Sequence, residues 1–285
     1  MSTEVSPSAL DDLHGRVVVV TGAGSGIGAA LARGFAGEGA SVAVADIDGE
    51  AAAATATSIG EAAAAYTVDV ADADAVEQFA ADVYDRFGRV DVLFNNAGVF
   101  QGGLMWERSL DDWRWTFGVN VYGIINGVRS FVPRMLQQGT DDGHIVNTAS
   151  VAAFVAGAAS SPYVVSKCAA FALSECLAHD LRVAGSNIGV SVLTPSAFDT
   201  GIAHTARVRP PDYGTDATPD GKFTAESLAS MTAKGLPPDA VVAPVLEALR
   251  ERKFLIPTRP SYRDQLRNRF EALLERDLPG HVNVD

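Results

Sequence analysis

The chain has 285 residues with 22 basic and 35 acidic side chains, a formal charge of −13, and 47% hydrophobic against 20% charged residues. A composition this apolar buries enough surface to offset backbone entropy, which excludes disorder, and the length sits near the ceiling for one hydrophobic core. The acidic balance disfavours nucleic acid and anionic membranes as partners, and two cysteines, Cys168 and Cys176, exclude a disulfide framework or a Cys-rich zinc module.

Residues 1–14 form a polar, acidic N-terminal extension without the basic start and apolar stretch of a secretory signal. The longest aliphatic run near the start, Val17 to Val20, falls far short of the ~20 residues of a membrane span, so a cytoplasmic location is expected. Strands are predicted over 16–21, 40–46, 64–69, 91–95, 144–149, 189–194 and 254–256. Their apolar runs are continuous rather than alternating, as in strands covered on both faces. Helical spacing fills the intervals at 27–38, 49–58, 72–87, 113–138, 162–183 and 238–250. The alternation predicts a single α/β domain: a doubly wound, Rossmann-type, seven-stranded parallel sheet with helices on both faces. The rhythm breaks at 201–236, where Pro210, Pro211, Gly214, Pro219 and Gly221 leave only short helical pieces predicted. A connection that long reads as a substrate lid. Residues 258–285 follow as a C-terminal extension.

The first strand runs into Thr21-Gly22-Ala23-Gly24-Ser25-Gly26-Ile27-Gly28 and then a helix. Glycines in such a turn let backbone approach a pyrophosphate, and the helix presents free N–H groups and a partial positive charge to it. The spacing G-x-x-x-G-x-G fits through Gly22, Gly26 and Gly28. Asp46 ends the second strand, where a carboxylate accepts hydrogen bonds from the adenosine ribose hydroxyls and repels a 2′-phosphate. Neither Ser25 nor Ile47 supplies a cation for that phosphate, so NAD is favoured over NADP; Asp48 competes by position but falls past the strand end.

Tyr163 and Lys167 stand four apart in a helical stretch and therefore share a face. A free phenol has a pKa of ~10, and a neighbouring cation is expected to lower it, leaving Tyr163 able to act as general acid or base. Taken alone, the spacing also describes an ordinary helix-surface pair. Ser150 ends the fifth strand at the carboxyl edge of the sheet, where it either donates to a substrate oxygen or caps the following helix.

With Thr21–Gly28, Asp46, Asp69-Val70, Asn95-Asn96-Ala97-Gly98, Asn120, Ser150, Tyr163/Lys167 and residues 195–200 in this order, the chain resembles the short-chain dehydrogenase/reductase family from Gly15 to about Pro257. The resemblance implies that Asp69 and Val70 contact adenine, that Asn96, Ala97 and Gly98 line the cofactor, and that Ser25, Ile27, Ile47 and Pro195 lie along it. It implies that Asn120 interrupts its helix to hold a water that relays protons from Lys167, which also bonds the nicotinamide ribose. Phe198 and Thr200 would meet the carboxamide or pyrophosphate. Ser196 stands where the family usually has glycine and is expected to restrict the loop. The resemblance also implies that the helices at 113–138 and 162–183 form the subunit contact of a homodimer or homotetramer.

Phe100, Val151, Ala152, Phe154, Phe198 and the lid are expected to line an apolar substrate site. A narrower similarity, through 126–128, 131–135, Arg209-Pro210 and Tyr213-Gly214-Thr215, is to dehydrogenases that oxidise the benzylic alcohol of lignin-type aryl ethers. Arg207 and Arg209 are read as solvated in preference to meeting a substrate anion. Trp106, Trp113 and Trp115 are expected to pack the long helix and both cysteines to be buried. The histidines, His144 and His179 among them, lack metal spacing, and hydride chemistry needs no metal. The reading is an NAD-dependent oxidoreductase for a hydrophobic secondary alcohol or ketone. An NADP-preferring carbonyl reductase and a non-catalytic dinucleotide-binding regulator stand as alternatives.

Overall fold

The apolar runs form β1 (Val17–Thr21), β2 (Ser41–Asp46), β3 (Ala63–Thr67), β4 (Val92–Asn95), β5 (His144–Thr148), β6 (Gly189–Thr194) and β7 (Leu255–Pro257) in the computed structural model. It describes Leu10 and residues 12–139, 142–214 and 218–280; most of the predicted N-terminal extension, Thr215 and the last five residues lie outside the described residues. All seven strands pair in parallel in the order β3-β2-β1-β4-β5-β6-β7. The order reverses between β1 and β4, and the carboxyl ends on either side of that switch are where such sheets leave a crevice.

Nine helices connect and cover the sheet among the described residues: α1 (Gly26–Gly37), α2 (Gly49–Ile59), α3 (Ala73–Phe87), α4 (Leu110–Phe117), α5 (Gly123–Gln137), α6 (Ser161–Val183), α7 (Pro219–Thr232), α8 (Val242–Arg250) and α9 (Tyr262–Leu274). On one face α1 and α8 press Leu31, Phe35, Val245 and Leu249 onto Phe94 and Ile256. On the other, α3 and α5 bring Phe79, Phe131 and Met135 against Leu93 and Ile145. Edge-to-face ring pairs mark both layers, Phe35–Phe94 at 5.0 Å and Phe79–Phe131 at 5.6 Å between centroids.

The stretch at 113–138 is interrupted at Asn120, where the resemblance implies a break, by a π-helical turn, Gly118–Tyr122, between α4 and α5. The stretch at 201–236 contains a full fourteen-residue helix, α7, where only short pieces were expected. Pro219 is not a breaker there: it takes the first helical turn behind an N-cap, Thr218, whose hydroxyl accepts from Gly221 N. The C-terminal extension also becomes helical in α9, which buries Gln265. None of the helices among the described residues is long and apolar enough to cross a membrane.

His144 lies inside this frame with 1% of its surface exposed, its Nε2 2.7 Å from the Ser191 hydroxyl. Burial first, and the charge of Arg252 second, push its pKa from 6.5 down to about 3. Between those values the unfolded chain binds a proton that the folded chain refuses, so stability falls as pH drops through this window. We expect about 2 kcal/mol to be lost by pH ~5, read as a falling urea midpoint, and His144→Asn to flatten that pH slope.

Candidate active site

The turn between β1 and α1 leaves no room for side chains. Gly22 has φ +64°, and a Cβ on it would stand 2.7 Å from the Ala97 Cα. A Cβ on Gly28 would stand 2.2 Å from the Gly22 carbonyl oxygen and 2.6 Å from Asn96 Nδ2. Ser25 opens α1 in extended conformation without a side-chain cap bond, so its hydroxyl and the first N–H groups face the cavity. Thr200 closes over the same turn, its Cγ2 3.1 Å from a Cβ placed on Gly26. Asp46 holds the loop from the end of β2, its Oδ2 accepting from Gly24 N at 2.8 Å and its Oδ1 from Asp48 N at 3.0 Å. Asp48 is a helix cap instead, accepting from Ala51 N at 3.1 Å. Asn96 donates to Thr21 O at 2.9 Å and accepts from the Thr148 hydroxyl at 3.3 Å, which ties β1, β4 and β5 together at their ends.

Ser150, Tyr163 and Lys167 converge beyond this turn. Ser150 follows β5 and its hydroxyl accepts from Ala152 N at 3.1 Å, so it also serves as the cap considered above. It also stands near enough to the Tyr163 phenol to favour that group's ionised form. Lys167 lies one helical turn after Tyr163 on α6, donates to Thr148 O at 3.0 Å and stands 5.7 Å from the tyrosine ring centroid. Phe100 packs on that ring at 5.1 Å. Asn120 is fully buried; its Oδ1 accepts from Val99 N at 2.8 Å and its Nδ2 donates to Val99 O at 3.0 Å and to the Ser166 hydroxyl at 2.9 Å. Ser166 in turn donates to Tyr163 O at 2.7 Å. Lys167 Nζ and Asn120 Oδ1 both lie within 3.4 Å of a Cβ built on Gly98, which puts the ammonium beside the amide.

The electrostatics correct one expectation. Burial raises the Tyr163 phenol above its ordinary value, and the Ser150 hydroxyl only partly opposes this. Lys167, buried too, is pushed down to about 8. The ammonium therefore remains mostly charged at neutral pH, but the protein's own groups do not lower the phenol.

One mainly apolar cavity of about 650 Å³ joins the two halves. All the predicted cofactor positions line it: Gly22, Ser25, Gly26, Ile27, Gly28, Asp46, Ile47, Asp69, Val70, Asn96, Ala97, Gly98, Tyr163, Lys167, Pro195, Phe198 and Thr200. Ser150, Phe100, Val151 and Ala152 line it as expected, while Asn120 stands behind the wall. Phe154 does not line it; that ring packs edge-on against Phe171 at 5.5 Å. Trp115 and, from the stretch at 201–236, Tyr213, Thr224, Ser227, Leu228 and Met231 complete the lining. Arg207 is an exposed wall residue. Arg209 is not solvated, since it pairs with buried Asp112. Trp106 is exposed on a 3-10 turn, and Cys176 is exposed where a buried thiol was expected. Ser196 keeps an unstrained φ, and its N–H donates to the Thr258 hydroxyl at 3.0 Å, so glycine is not needed there. Val99, Thr148 and Ser166, the partners of Asn120 and Lys167, carried no signal in the sequence because two of them act through main-chain atoms.

The sequence profile of the short chain dehydrogenase family matches residues 16–210. The chain belongs to that family. Among short chain dehydrogenases, 1-deoxy-11-beta-hydroxypentalenate dehydrogenase of Streptomyces exfoliatus is 38% identical over 277 residues, 95% of this chain and 91% of that protein. The C alpha-dehydrogenase of Sphingobium sp. (strain NBRC 103272 / SYK-6) is 34% identical over 213 residues, 74% of this chain and 69% of that protein. A crystal structure of a short chain dehydrogenase/reductase from Burkholderia phymatum, solved in complex with NAD, superposes with a TM-score of 0.92 at 39% identity, covering 95% of this chain and 99% of that one. Among the described residues of this family member, no group of three His, Cys, Asp or Glu side chains is arranged to hold a metal.

Proposed function

We propose that this short chain dehydrogenase is an NAD-dependent enzyme interconverting a hydrophobic, aryl or alicyclic secondary alcohol and its ketone. The observation that carries the reading is the meeting of the Tyr163 phenol, the Ser150 hydroxyl and the Lys167 ammonium on the wall of a cavity that runs from the glycine turn to an apolar lid. The turn fits a dinucleotide because its glycines leave a cradle that any Cβ would fill, at an uncapped helix end. Bound there, the dinucleotide supplies the hydride acceptor or donor. Tyr163 passes the proton to or from the substrate oxygen, Ser150 orients that oxygen, Lys167 offers its charge to the phenol and its N–H to the sugar, and Asn120 anchors the relay behind them. Support for an apolar alcohol comes from Phe100, Trp115, Phe198, Leu228 and Met231 around the far end, and from the alcohol dehydrogenases among the relatives. A homodimer or homotetramer through α5 and α6 belongs to the same proposal; both helices leave apolar side chains exposed, Leu136 and Val165.

The deciding experiment incubates the protein with NAD and a panel of aryl and alicyclic secondary alcohols and follows reduced cofactor. No turnover with any alcohol, or with ketones in reverse, would overturn it, and the same result with NADP would leave the non-catalytic regulator. Cofactor choice is tested at Asp46. Its carboxylate repels a 2′-phosphate, so wild type should prefer NAD, and Asp46→Ala should shift the NAD-to-NADP ratio of kcat/KM by at least about tenfold towards NADP. Wild type favouring NADP would instead support the carbonyl reductase alternative.

A further inference from the structure

Behind the lid lies a buried set of charges that the proposed chemistry does not use. Asp112, on the first turn of α4, has no exposed surface. Its Oδ1 accepts from Arg209 Nη1 at 2.5 Å, and its Oδ2 accepts from Ser109 N at 3.0 Å and lies 3.6 Å from Arg108 Nη1. Both arginines are themselves buried, and both continue into the lid. Arg209 donates to Tyr213 O at 2.8 Å and to Gln101 Oε1 at 3.2 Å, and its guanidinium lies 5.2 Å from the Trp115 ring centroid. Arg108 pairs with Asp220 at 3.3 Å and donates to the Thr218 hydroxyl, the N-cap of α7. Asp220 also accepts from Leu104 N at 2.7 Å.

We infer that Asp112 is a positioning residue that latches the lid over the substrate end of the cavity and thereby sets which substrates fit. The inference rests on the proposed dehydrogenase reading for its kinetic part only. One carboxylate joins two separate lid segments, the stretch at 209–213 through Arg209 and the start of α7 through Arg108. The wall residues Trp115, Tyr213 and Thr224 sit on the elements so joined. Two cations and two carboxylates balance, and in a buried setting removing one leaves another uncompensated. The lid therefore has one favoured seat, reached only when both arginines meet Asp112. Scattered surface ion pairs would not impose that, because water competes for each partner.

The test substitutes Asp112→Asn, which keeps side-chain size and the potential to cap α4 but removes the charge. Amide hydrogen exchange should quicken in 201–214 and 218–232 while the sheet keeps its protection, a readout independent of activity. With a bulky aryl alcohol KM should rise by about tenfold or more, kcat should change far less, and NAD affinity should hold. Arg209→Gln, which frees the lid from its own side, should reproduce this, and it carries the test if Asp112→Asn fails to fold. Unchanged lid exchange in a folded variant, or equal KM for small and bulky alcohols relative to wild type, would overturn the latch. If wild type oxidises no alcohol, the enzyme reading fails and the exchange result still decides the latch.

Discussion

Tyr163→Phe should lower kcat/KM for alcohol oxidation by about a thousandfold while leaving dinucleotide affinity within about twofold of wild type. The substitution removes one oxygen and little else. The ring keeps its packing on Phe100 at 5.1 Å, and Lys167 keeps its bond to Thr148 O at 3.0 Å, so the fold of the site should persist. On the proposed reading, what is lost is the group that exchanges a proton with the substrate oxygen. Burial holds the phenol up with Lys167 already in place, so its ionised form depends on further positive charge nearby. The ammonium titrates at about 8, so activity that relies on it should decline on the alkaline side of that value. Stopped-flow hydride transfer and cofactor fluorescence titration read the two quantities separately. Wild-type turnover in the phenylalanine variant would remove Tyr163 from the chemistry.

How much of this was legible depended on whether a feature is written in side chains or in main-chain geometry. Strands β1, β2, β5 and β6 lie within a residue of expectation, β1 and β2 because of their nearly continuous Val and Ala runs, β5 and β6 although they bury polar His144, Asn147 and Ser191. The glycine turn was equally plain, since both Gly22 and Gly28 are forced by contacts shorter than any side chain tolerates. The lid was not. Proline and glycine were read as breakers, whereas Pro219 behind Thr218 is a helix start, and a signal of that kind lies in position relative to a cap rather than in composition. The role of Arg209 was hidden for a different reason. Its partner Asp112 is 97 residues away in sequence, and only the folded chain brings the two together. The raised phenol is a burial effect of the whole cavity, which no local spacing encodes.

Gly28→Val should weaken dinucleotide binding by at least about a hundredfold, more than any other single change in the glycine turn. The first atom of the new side chain would lie 2.2 Å from the Gly22 carbonyl oxygen and 2.6 Å from Asn96 Nδ2. Neither obstacle can move cheaply. Gly22 is itself wedged against Ala97, where a Cβ would come within 2.7 Å, and Asn96 is fixed by Thr21 O at 2.9 Å and the Thr148 hydroxyl at 3.3 Å. The first turn of α1 must therefore lift away from β1, carrying the uncapped N–H groups out of line with the phosphates. Overpacking of this kind costs about 1–3 kcal/mol, and a chain of this size should lose several degrees of Tm. Gly37→Ala supplies the control on the same helix: nothing lies within 4 Å of a Cβ there, and alanine is the better helix former, so affinity should hold and stability should hold or rise. Calorimetric titration with NAD compares the pair. Equal affinity in Gly28→Val and wild type would mean that the phosphates are held somewhere other than this turn.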